Sequence, residues 1–397
     1  MQNLYRNRLD SDNRDLRGLG LNMGYIDKIY TGLLVFPFIA VVITLPYVMY
    51  QYHKYGSVSW FRTLVIYSFI LYMLIAYFQV ILPLPSLEST VGNRWQDHLN
   101  LIPFYQVWLY WHDKAFSIAE LVAYLKSFSL WQLLLNILLT VPFGVYLRYY
   151  FKQDLKRTIF FSFLLSLFYE LTQLSALYGI YPGPYRLADV EDLICNTMGG
   201  AVGWQITYVF TMLLPTRDEI DASSRIAGMR ITGMRRFWAV LFDYVCATNL
   251  YGFILGLLGI LIPAFASSSA TEQTYLWTFF CILSLVQVLM TKGSTLGHAI
   301  CRMTLVSEKG GIASTGQLVK RYLYLWLFTG FPFMIVCWLT SGQFTMFNND
   351  LITLGLLAVA RLYFFWYFIN IVFRKGALMP HDKLSGTYYI QTGKPAK

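Results

Sequence analysis

The sequence has few charged residues, and no polar stretch in it is long enough to form a soluble domain. Charged side chains make up 13% of its 397 residues, whereas a soluble domain carries about 25%. Hydrophobic residues make up 56% and aromatic residues 18%. Several apolar runs exceed the roughly 20 residues that cross a bilayer, and no alternating strand pattern recurs. The composition therefore predicts a helical integral membrane protein.

Cysteine motifs and the common cofactor motifs are also missing. The five cysteines are scattered, with no CxxC pair and no histidine at ligand spacing. The sequence contains no P-loop, no dinucleotide fingerprint and no nucleophile elbow. We therefore expect no disulfide framework, no metal site and no cofactor. The net charge of +10 comes from Lys and Arg in short loops between apolar runs, so we expect no nucleic-acid partner.

The apolar runs predict an all-α, polytopic bundle of about nine transmembrane helices in two subdomains. The predicted spans cover residues 30–50, 61–82, 130–150, 158–178, 192–214, 238–263, 275–290, 322–340 and 351–373. The predicted domains are a polar tail at 1–29, a membrane domain at 30–214, a basic linker at 215–235 and a second membrane domain at 236–397. The tail lacks the pattern of a cleavable signal peptide.

Basic loops predict the orientation of this multi-pass protein in the cell membrane. Residues 148–157, the linker, residues 292–321 and the tail from Arg374 are rich in Lys and Arg, which is typical of cytoplasmic segments. The alternate loops are poor in these residues and are predicted to lie outside. The C-terminus is then cytoplasmic and the N-terminus outside, unless the first apolar run does not cross, in which case the N-terminal tail is cytoplasmic.

Polar residues recur at helical spacing in the fourth and fifth predicted spans. Glu170 and Gln173 lie three residues apart, on one helix face. A stripe on the fifth span follows at spacings of four, three and four: Asp192, Asn196, Gly199 and Gly203. Gly199 and Gly203 form a pair of small residues that allows another helix to approach closely. An ionisable group such as Glu170 inside a span normally faces the bundle interior with a partner.

The loop before the fifth span, the outer loop after the second span and the third span add further polar residues. The complete set of candidate ligand-binding residues is Asn100, Asn136, Glu170, Gln173, Arg186, Asp189, Asp192 and Asn196. One interpretation is an ion-pair network that holds two helices together. The other is an outward-facing pocket for a polar headgroup, in which Arg186 binds phosphate or carboxylate. A cation between Asp189 and Asp192 is less favoured, since oxygen cages need more ligands.

The order of these motifs resembles the pattern of the VanZ family. The matching motifs are NLIPF at residues 100–104, N-x5-PFG from Asn136, S-x3-E-x2-Q from Ser166 and R-x2-D-x2-D-x3-N-x2-GG-x2-G from Arg186. The resemblance covers residues 61–214. It implies a bacterial cell-membrane protein, in a Gram-positive organism, that is linked to resistance against lipid-tailed glycopeptides such as teicoplanin. We expect the partner of the outward-facing pocket to be a membrane lipid, a lipid-linked cell-wall precursor or a lipoglycopeptide.

The second half resembles the RDD family, which is named for one arginine and two aspartates. Arg236, Asp243 and Asp382 match these three residues. Arg236 and Asp243 are two helical turns apart and share one face. A K-G-x-T-x-G loop from Lys292 and an H-D-x-x-S-G-T tail from His381 also fit, so the resemblance covers residues 235–390.

Three functions remain open at this point. The first is a membrane protein that binds an envelope ligand in the outer pocket. The second is a transporter with Asp243 and Arg361 on its path, although a structural ion pair between these two residues is the simpler account. The third is an intramembrane hydrolase or transferase with Glu170 and Asp192 as the candidate catalytic acid and base.

Overall fold

The computed structural model describes residues 25–112, 117–261, 272–330 and 378–392, together with residues 355, 358, 359, 362, 366 and 369. Helices dominate, as the composition predicts. Within these ranges, four helices are long and apolar enough to cross a membrane: Asp27–Tyr55, Trp60–Ile81, Leu130–Tyr149 and Gly233–Leu258. The total of nine spans stays a prediction.

The described residues of the first part of the chain form mainly helices, with one short parallel pair of strands. In chain order the elements are α1 (Tyr25–Tyr55), α2 (Trp60–Ile81), β1 (Leu99–Asn100), α3 (Tyr105–Trp111), α4 (Ile118–Leu125), α5 (Phe128–Tyr149), α6 (Leu155–Leu174), β2 (Ala188–Asp189) and α7 (Val190–Thr211). Side chains of Ser127, Asp154 and Asp189 accept backbone N–H groups at the starts of α5, α6 and α7. These N-caps explain where the three helices begin.

The second part combines helices with an antiparallel pair of strands. Its elements are α8 (Arg217–Gly228), α9 (Gly233–Leu261), α10 (Glu272–Thr291), α11 (Leu296–Ile300), β3 (Met303–Ser307), α12 (Thr315–Leu325) with a following π-turn (Trp326–Gly330), α13 (Pro380–Ser385) and β4 (Thr387–Gln391). The strands β3 and β4 pair with Leu305 opposite Tyr389. Buried and half-buried residues alternate along β3, because successive side chains of a strand point to opposite faces.

The chain divides into two compact units, and α1 contributes to both. The described residues of Met1–Thr44 join Trp60–Ile220, and Leu45–Ser59 joins the described residues of Asp221–Lys397. The division falls inside the predicted linker at 215–235, of which Arg217–Gly228 is helical. The predicted domain boundaries themselves stay predictions.

The end of the linker is anchored in the second unit by Arg235. Its side chain is fully buried and donates to the backbone carbonyls of Gly228, Cys301 and Arg302 at 2.6–2.7 Å. A guanidinium carries five N–H donors in a planar fork, so one side chain can bind both the end of α8 and the turn between α11 and β3. Arg235 is therefore a structural residue.

Glycines allow α5, α6 and α7 to pack closely in the first unit. A Cβ added at Gly199 would lie 2.1 Å from the carbonyl oxygen of Ile137, and one at Gly203 would lie 2.0 Å from that of Val141. Gly200 faces α6 in the same way, with 1.9 Å to a serine hydroxyl. No side chain fits into these distances. The predicted close helix approach at Gly199 and Gly203 is confirmed.

Candidate functional site

The polar cluster of the first unit lies where the end of α6 meets the beginning of α7. Glu170 is in the last turns of α6 and Asp192 in the first turn of α7. The loop after α2 reaches the same place because β1 pairs in parallel with β2, with Asn100 opposite Asp189. Two motifs that are separated by almost ninety residues therefore meet.

Asp189 is the centre of one half of this cluster. Its Oδ2 atom accepts a hydrogen bond from the Asn100 amide at 2.9 Å, and its Oδ1 atom accepts the N–H of Glu191 at 2.8 Å. Its own backbone N–H donates to Glu170 Oε2 at 2.9 Å. One residue thus caps α7 and fixes the Glu170 carboxylate.

Asp192 is the centre of the other half. The amide of Asn136, on α5, donates to its Oδ1 atom. The Ser166 hydroxyl donates to the backbone carbonyl of Asp192 at 3.4 Å and accepts from the Asn196 amide at 3.1 Å. The three helices α5, α6 and α7 each contribute to this half.

Gln173 and Arg186 lie at the margin, against the end of α2. Gln173 donates to the carbonyl of Val80 at 3.1 Å, and Arg186 donates to that of Leu82. The positive charge of Arg186 acts on the Glu170 and Asp192 carboxylates. Among the described residues, however, no ion pair joins Arg186 to either of them. Its visible role is to hold the loop before α7 against α2.

Two members of the cluster were not among the predicted site residues. Ser166 lies one helical turn before Glu170, so the helical period could have indicated it. Glu191 is 7% exposed and lies beside Asp189, and only the folding of the loop reveals its burial. In the described part of the chain, no three His, Cys, Asp or Glu side chains are arranged to hold a metal ion.

In the second unit, Asp382 joins two arginines. Its side chain is fully buried; Oδ1 pairs with Arg321, and Oδ2 lies 3.4 Å from Nη1 of Arg236. The backbone N–H of Met379 donates to it at 3.0 Å. Burial alone would raise the pKa of Asp382, but Arg321, His381 and the hydrogen bonds outweigh burial and lower it from 3.8 to about 2. The carboxylate is therefore ionised at neutral pH.

Asp243 is bound at the beginning of α11 and not by an arginine of the described chain. Its two oxygens accept the Thr295 hydroxyl at 2.5 Å and the Gly297 N–H at 2.7 Å. A carboxylate at a helix N-terminus is stabilised by the exposed N–H groups there. Arg361, its predicted partner, lies outside the described residues.

Tyr389 connects the histidine and arginine of this unit. Its hydroxyl lies 3.1 Å from Nε2 of His298 and accepts from Arg321 at 2.8 Å. The N–H of Thr295 donates to Nδ1 of His298, so Nε2 carries the ring proton. Burial and the charge of Arg321 lower the pKa of both His298 and His381 from 6.5 to about 3.

A cavity of about 210 Å³ lies beside these charged groups. The residues of the RDD motif, Arg236, Asp243 and Asp382, line it together with Arg321. The lining also includes aromatic and aliphatic side chains, among them Trp277, Phe280, Tyr322 and Leu325. The three motif residues thus line one cavity. Arg321 lines it too, although it is not one of the residues that define the motif.

Comparison with known families agrees with the membrane-helix architecture and with both sets of motifs. The VanZ/LLP1 family model matches residues 65–214, and the RDD family model matches residues 232–386. Neither the curated proteins nor the solved structures include a match. The protein is a helical membrane protein. It carries a VanZ-like region in its N-terminal half and an RDD-family region in its C-terminal half, as the motifs predicted.

Proposed function

We propose that the VanZ-like region binds the polar part of an envelope molecule and thereby contributes to glycopeptide resistance of the teicoplanin type. The ligand is a membrane lipid, a lipid-linked cell-wall precursor or a lipoglycopeptide. The observation that carries this proposal is the convergence of carboxylates and amides from β1, α5, α6 and α7 at one end of the helices. Asn100, Asn136, Asp189 and Asp192 are only half-buried there, as suits groups that meet a ligand.

The position of the cluster along α6 supports an outward-facing site. Glu170 lies thirteen residues after Arg157, which corresponds to roughly 20 Å along a helix. Arg157 lies in the first turn of α6, at the end of the basic segment 148–157, and basic segments favour the cytoplasmic side. The opposite end of α6 then faces outside, where glycopeptides and exported envelope precursors are present.

A purely structural network is the main alternative, and an isosteric substitution separates the two. In a strain that lacks this gene, we expect the wild-type chain to restore resistance to lipid-tailed glycopeptides. Glu170→Gln and Asp192→Asn should accumulate normally but restore no resistance, because each removes a charge and keeps the side-chain shape. The readouts are the minimum inhibitory concentration and the amount of protein in the membrane.

Two acidic residues of the same unit serve as matched controls. Glu88 and Asp218 are exposed, so Glu88→Gln and Asp218→Asn should restore full resistance. If Glu170→Gln and Asp192→Asn also restore full resistance, the pocket is not the functional site. If resistance falls only in proportion to protein abundance, the cluster is structural.

A second candidate function is transport through the RDD-family region. The cavity beside Asp243 favours it, because a buried carboxylate next to a cavity is a usual feature of ion pathways. Normal stability with lost ion flux for Asp243→Asn in proteoliposomes would support transport. Lower stability with no specific flux defect would instead agree with the contacts to Thr295 and Gly297.

A further inference from the structure

The polar cluster contains carboxylate oxygens without hydrogen-bond donors. Glu170 accepts at Oε2 from the N–H of Asp189, and Asp192 accepts at Oδ1 from Asn136. Within the described residues, Glu170 Oε1 and Asp192 Oδ2 accept no hydrogen bond. Each of the two central carboxylates therefore keeps one oxygen for another donor.

Two buried acceptor atoms nearby also lack a hydrogen-bond donor among the described residues. Asn196 is 3% exposed and Glu191 is 7% exposed. Within the parts of the chain that are described, Oδ1 of Asn196 and Oε2 of Glu191 have no partner. Asn196 lies one turn after Asp192 on the same helix face and reaches the cluster through Ser166. A buried acceptor without a donor is unfavourable, so these atoms point to a ligand that supplies donors.

The amide groups of the cluster already donate hydrogen bonds. The amide of Asn100 donates to Asp189 and that of Asn136 to Asp192. Arg186 donates to the backbone carbonyl of Leu82. Among the described residues, these hydrogen bonds leave the acceptor oxygens named above without donors, and a phosphate or carboxylate would only add further acceptors.

The negative charges of the carboxylates also favour a ligand group that donates hydrogen bonds. The carboxylates of Glu170, Asp189 and Asp192 repel one another, and the positive charge of Arg186 offsets this repulsion only in part. A further cation between the carboxylates would relieve it. A metal ion is disfavoured, because no three metal-ligating side chains in the described ranges are arranged around one point. An ammonium group carries one positive charge and three N–H donors, which fits both the charge and the unused oxygens.

We propose that this cluster binds a primary ammonium group of its ligand, with the Glu170 and Asp192 carboxylates as the main acceptors. The inference rests on the proposed function and assigns the chemistry of the group that enters the pocket. Arg186 is then a positioning residue that holds the loop with Asp189 against α2. A lipid headgroup and a free amine share this chemistry, so the test includes both.

The test measures binding of short-chain lipids to the purified full chain in dodecyl maltoside, which contains neither phosphate nor amine. Dihexanoyl-phosphatidylethanolamine, -phosphatidylcholine and -phosphatidylglycerol share their tails and phosphate. The ethanolamine lipid presents an ammonium with N–H donors, and the choline lipid presents a cation without such donors. The glycerol lipid presents uncharged hydroxyl donors. We expect the ethanolamine lipid to bind at least about tenfold more tightly than the other two, because sites built for hydrogen bonds reject analogues that lack the donors. Free ethanolamine should compete, and free choline should not.

Matched variants then assign the preference to the cluster. Glu170→Gln and Asp192→Asn should abolish the preference for the ethanolamine lipid, whereas Glu88→Gln and Asp218→Asn should keep it. A melting curve for each variant verifies that it is folded, and the selectivity of the wild-type chain decides the question even if a variant unfolds. Equal binding of the three lipids, or no binding, overturns the inference. The resistance assay decides the proposed function separately.

Discussion

Asp382 of the second unit is buried between two arginines, Arg236 and Arg321. Its carboxylate is fully buried, and its Arg321 partner is 3% exposed. Removing one partner of a buried ion pair leaves the other charge without compensation, which costs much more than the pair contributes. The stability of this unit should therefore depend on Asp382 far more than on exposed ion pairs.

Replacing Asp382 by Asn tests this dependence. Asp382→Asn keeps the shape but leaves the buried positive charge of Arg321 without the Asp382 carboxylate and removes the same carboxylate from Arg236. We expect the free energy of unfolding to fall by roughly 3–5 kcal/mol, seen as a lower melting temperature in detergent. The control is Asp218→Asn, whose 2.5 Å pair with Lys152 is exposed and should contribute less than about 1 kcal/mol. Equal effects of the two substitutions would contradict the argument.

The buried histidines predict how stability changes with pH. Because the pKa of His298 and of His381 is lowered to about 3 in the folded chain, both are neutral there, whereas the unfolded chain protonates them below about 6.5. Their stabilisation is complete above pH 6.5 and is lost as the pH falls toward 3. Asp382, with its pKa lowered to about 2, adds a loss only below about pH 4.

We therefore expect the melting temperature in detergent to fall between pH 7 and pH 5. The expected loss in unfolding free energy is on the order of 2 kcal/mol per histidine. His298→Gln should reduce this pH dependence, while His53→Gln, at an exposed position of α1, should not change it. A melting temperature that is constant over this range would show that the histidines are not held neutral.

At the scale of helices, glycine contacts determine how closely α5, α6 and α7 approach. Gly199, Gly200 and Gly203 lie against α5 and α6 at distances that exclude a Cβ atom. The same three helices carry Asn136, Glu170 and Asp192, so this packing also sets the spacing of the polar cluster. Stability and site geometry are thus linked through the same helix faces.

A matched pair of glycine substitutions tests this link. Gly203→Ala would bring its Cβ to 2.0 Å from the carbonyl oxygen of Val141, and we expect a loss of about 1–3 kcal/mol from overpacking. Gly252→Ala, in α9, is the control, since no described atom lies within 4 Å of the added Cβ. Melting temperature and membrane abundance are the readouts. Similar stability of the two variants would mean that α5 and α7 can separate without cost.

Several elements were predictable from local sequence, and others were not. The span predicted at 61–82 corresponds to α2 (Trp60–Ile81), and the span predicted at 192–214 begins within two residues of α7 (Val190–Thr211). Long apolar runs specify such helices because each residue contributes to the same pattern. The two-residue strands β1 and β2 carry no such pattern, and they exist only because distant segments pair.

For the molecule as a whole, the distribution of basic residues predicts its orientation in the membrane. In the first unit, Lys156 and Gln96 are exposed and lie in segments predicted to face opposite sides. We expect a cysteine at position 96 to react with an impermeant reagent in intact cells, and one at position 156 to react only after permeabilisation. The background should lack the native cysteines.

Two outcomes of this labelling experiment would change the functional assignment. Reaction of position 156 in intact cells would reverse the orientation and place the polar cluster in the cytoplasm. Reaction at both positions would mean that the loops before and after α5 share one side. Either result would remove the support that the basic loops give to an outward-facing site.

The membrane helices and the candidate polar residues could be read from the sequence because both depend on local properties. Hydrophobicity over about 20 residues is enough to specify a span, and the helical period places Glu170, Asp192 and Asn196 on common faces. The resemblance to the RDD family, whose model matches residues 232–386, added the motif residues Arg236, Asp243 and Asp382.

The choice of partners depended on the tertiary structure. Arg236 and Asp243 share a helix face, yet Arg236 pairs with Asp382, 146 residues away, and Asp243 is bound by Thr295 and Gly297. Arg235 is adjacent to Arg236, but adjacent side chains on a helix point about 100° apart. Arg235 therefore does not face Asp382, and it binds three backbone carbonyls. Ion pairs and hydrogen bonds act over a few ångströms, and sequence spacing does not determine which distant groups come within that range.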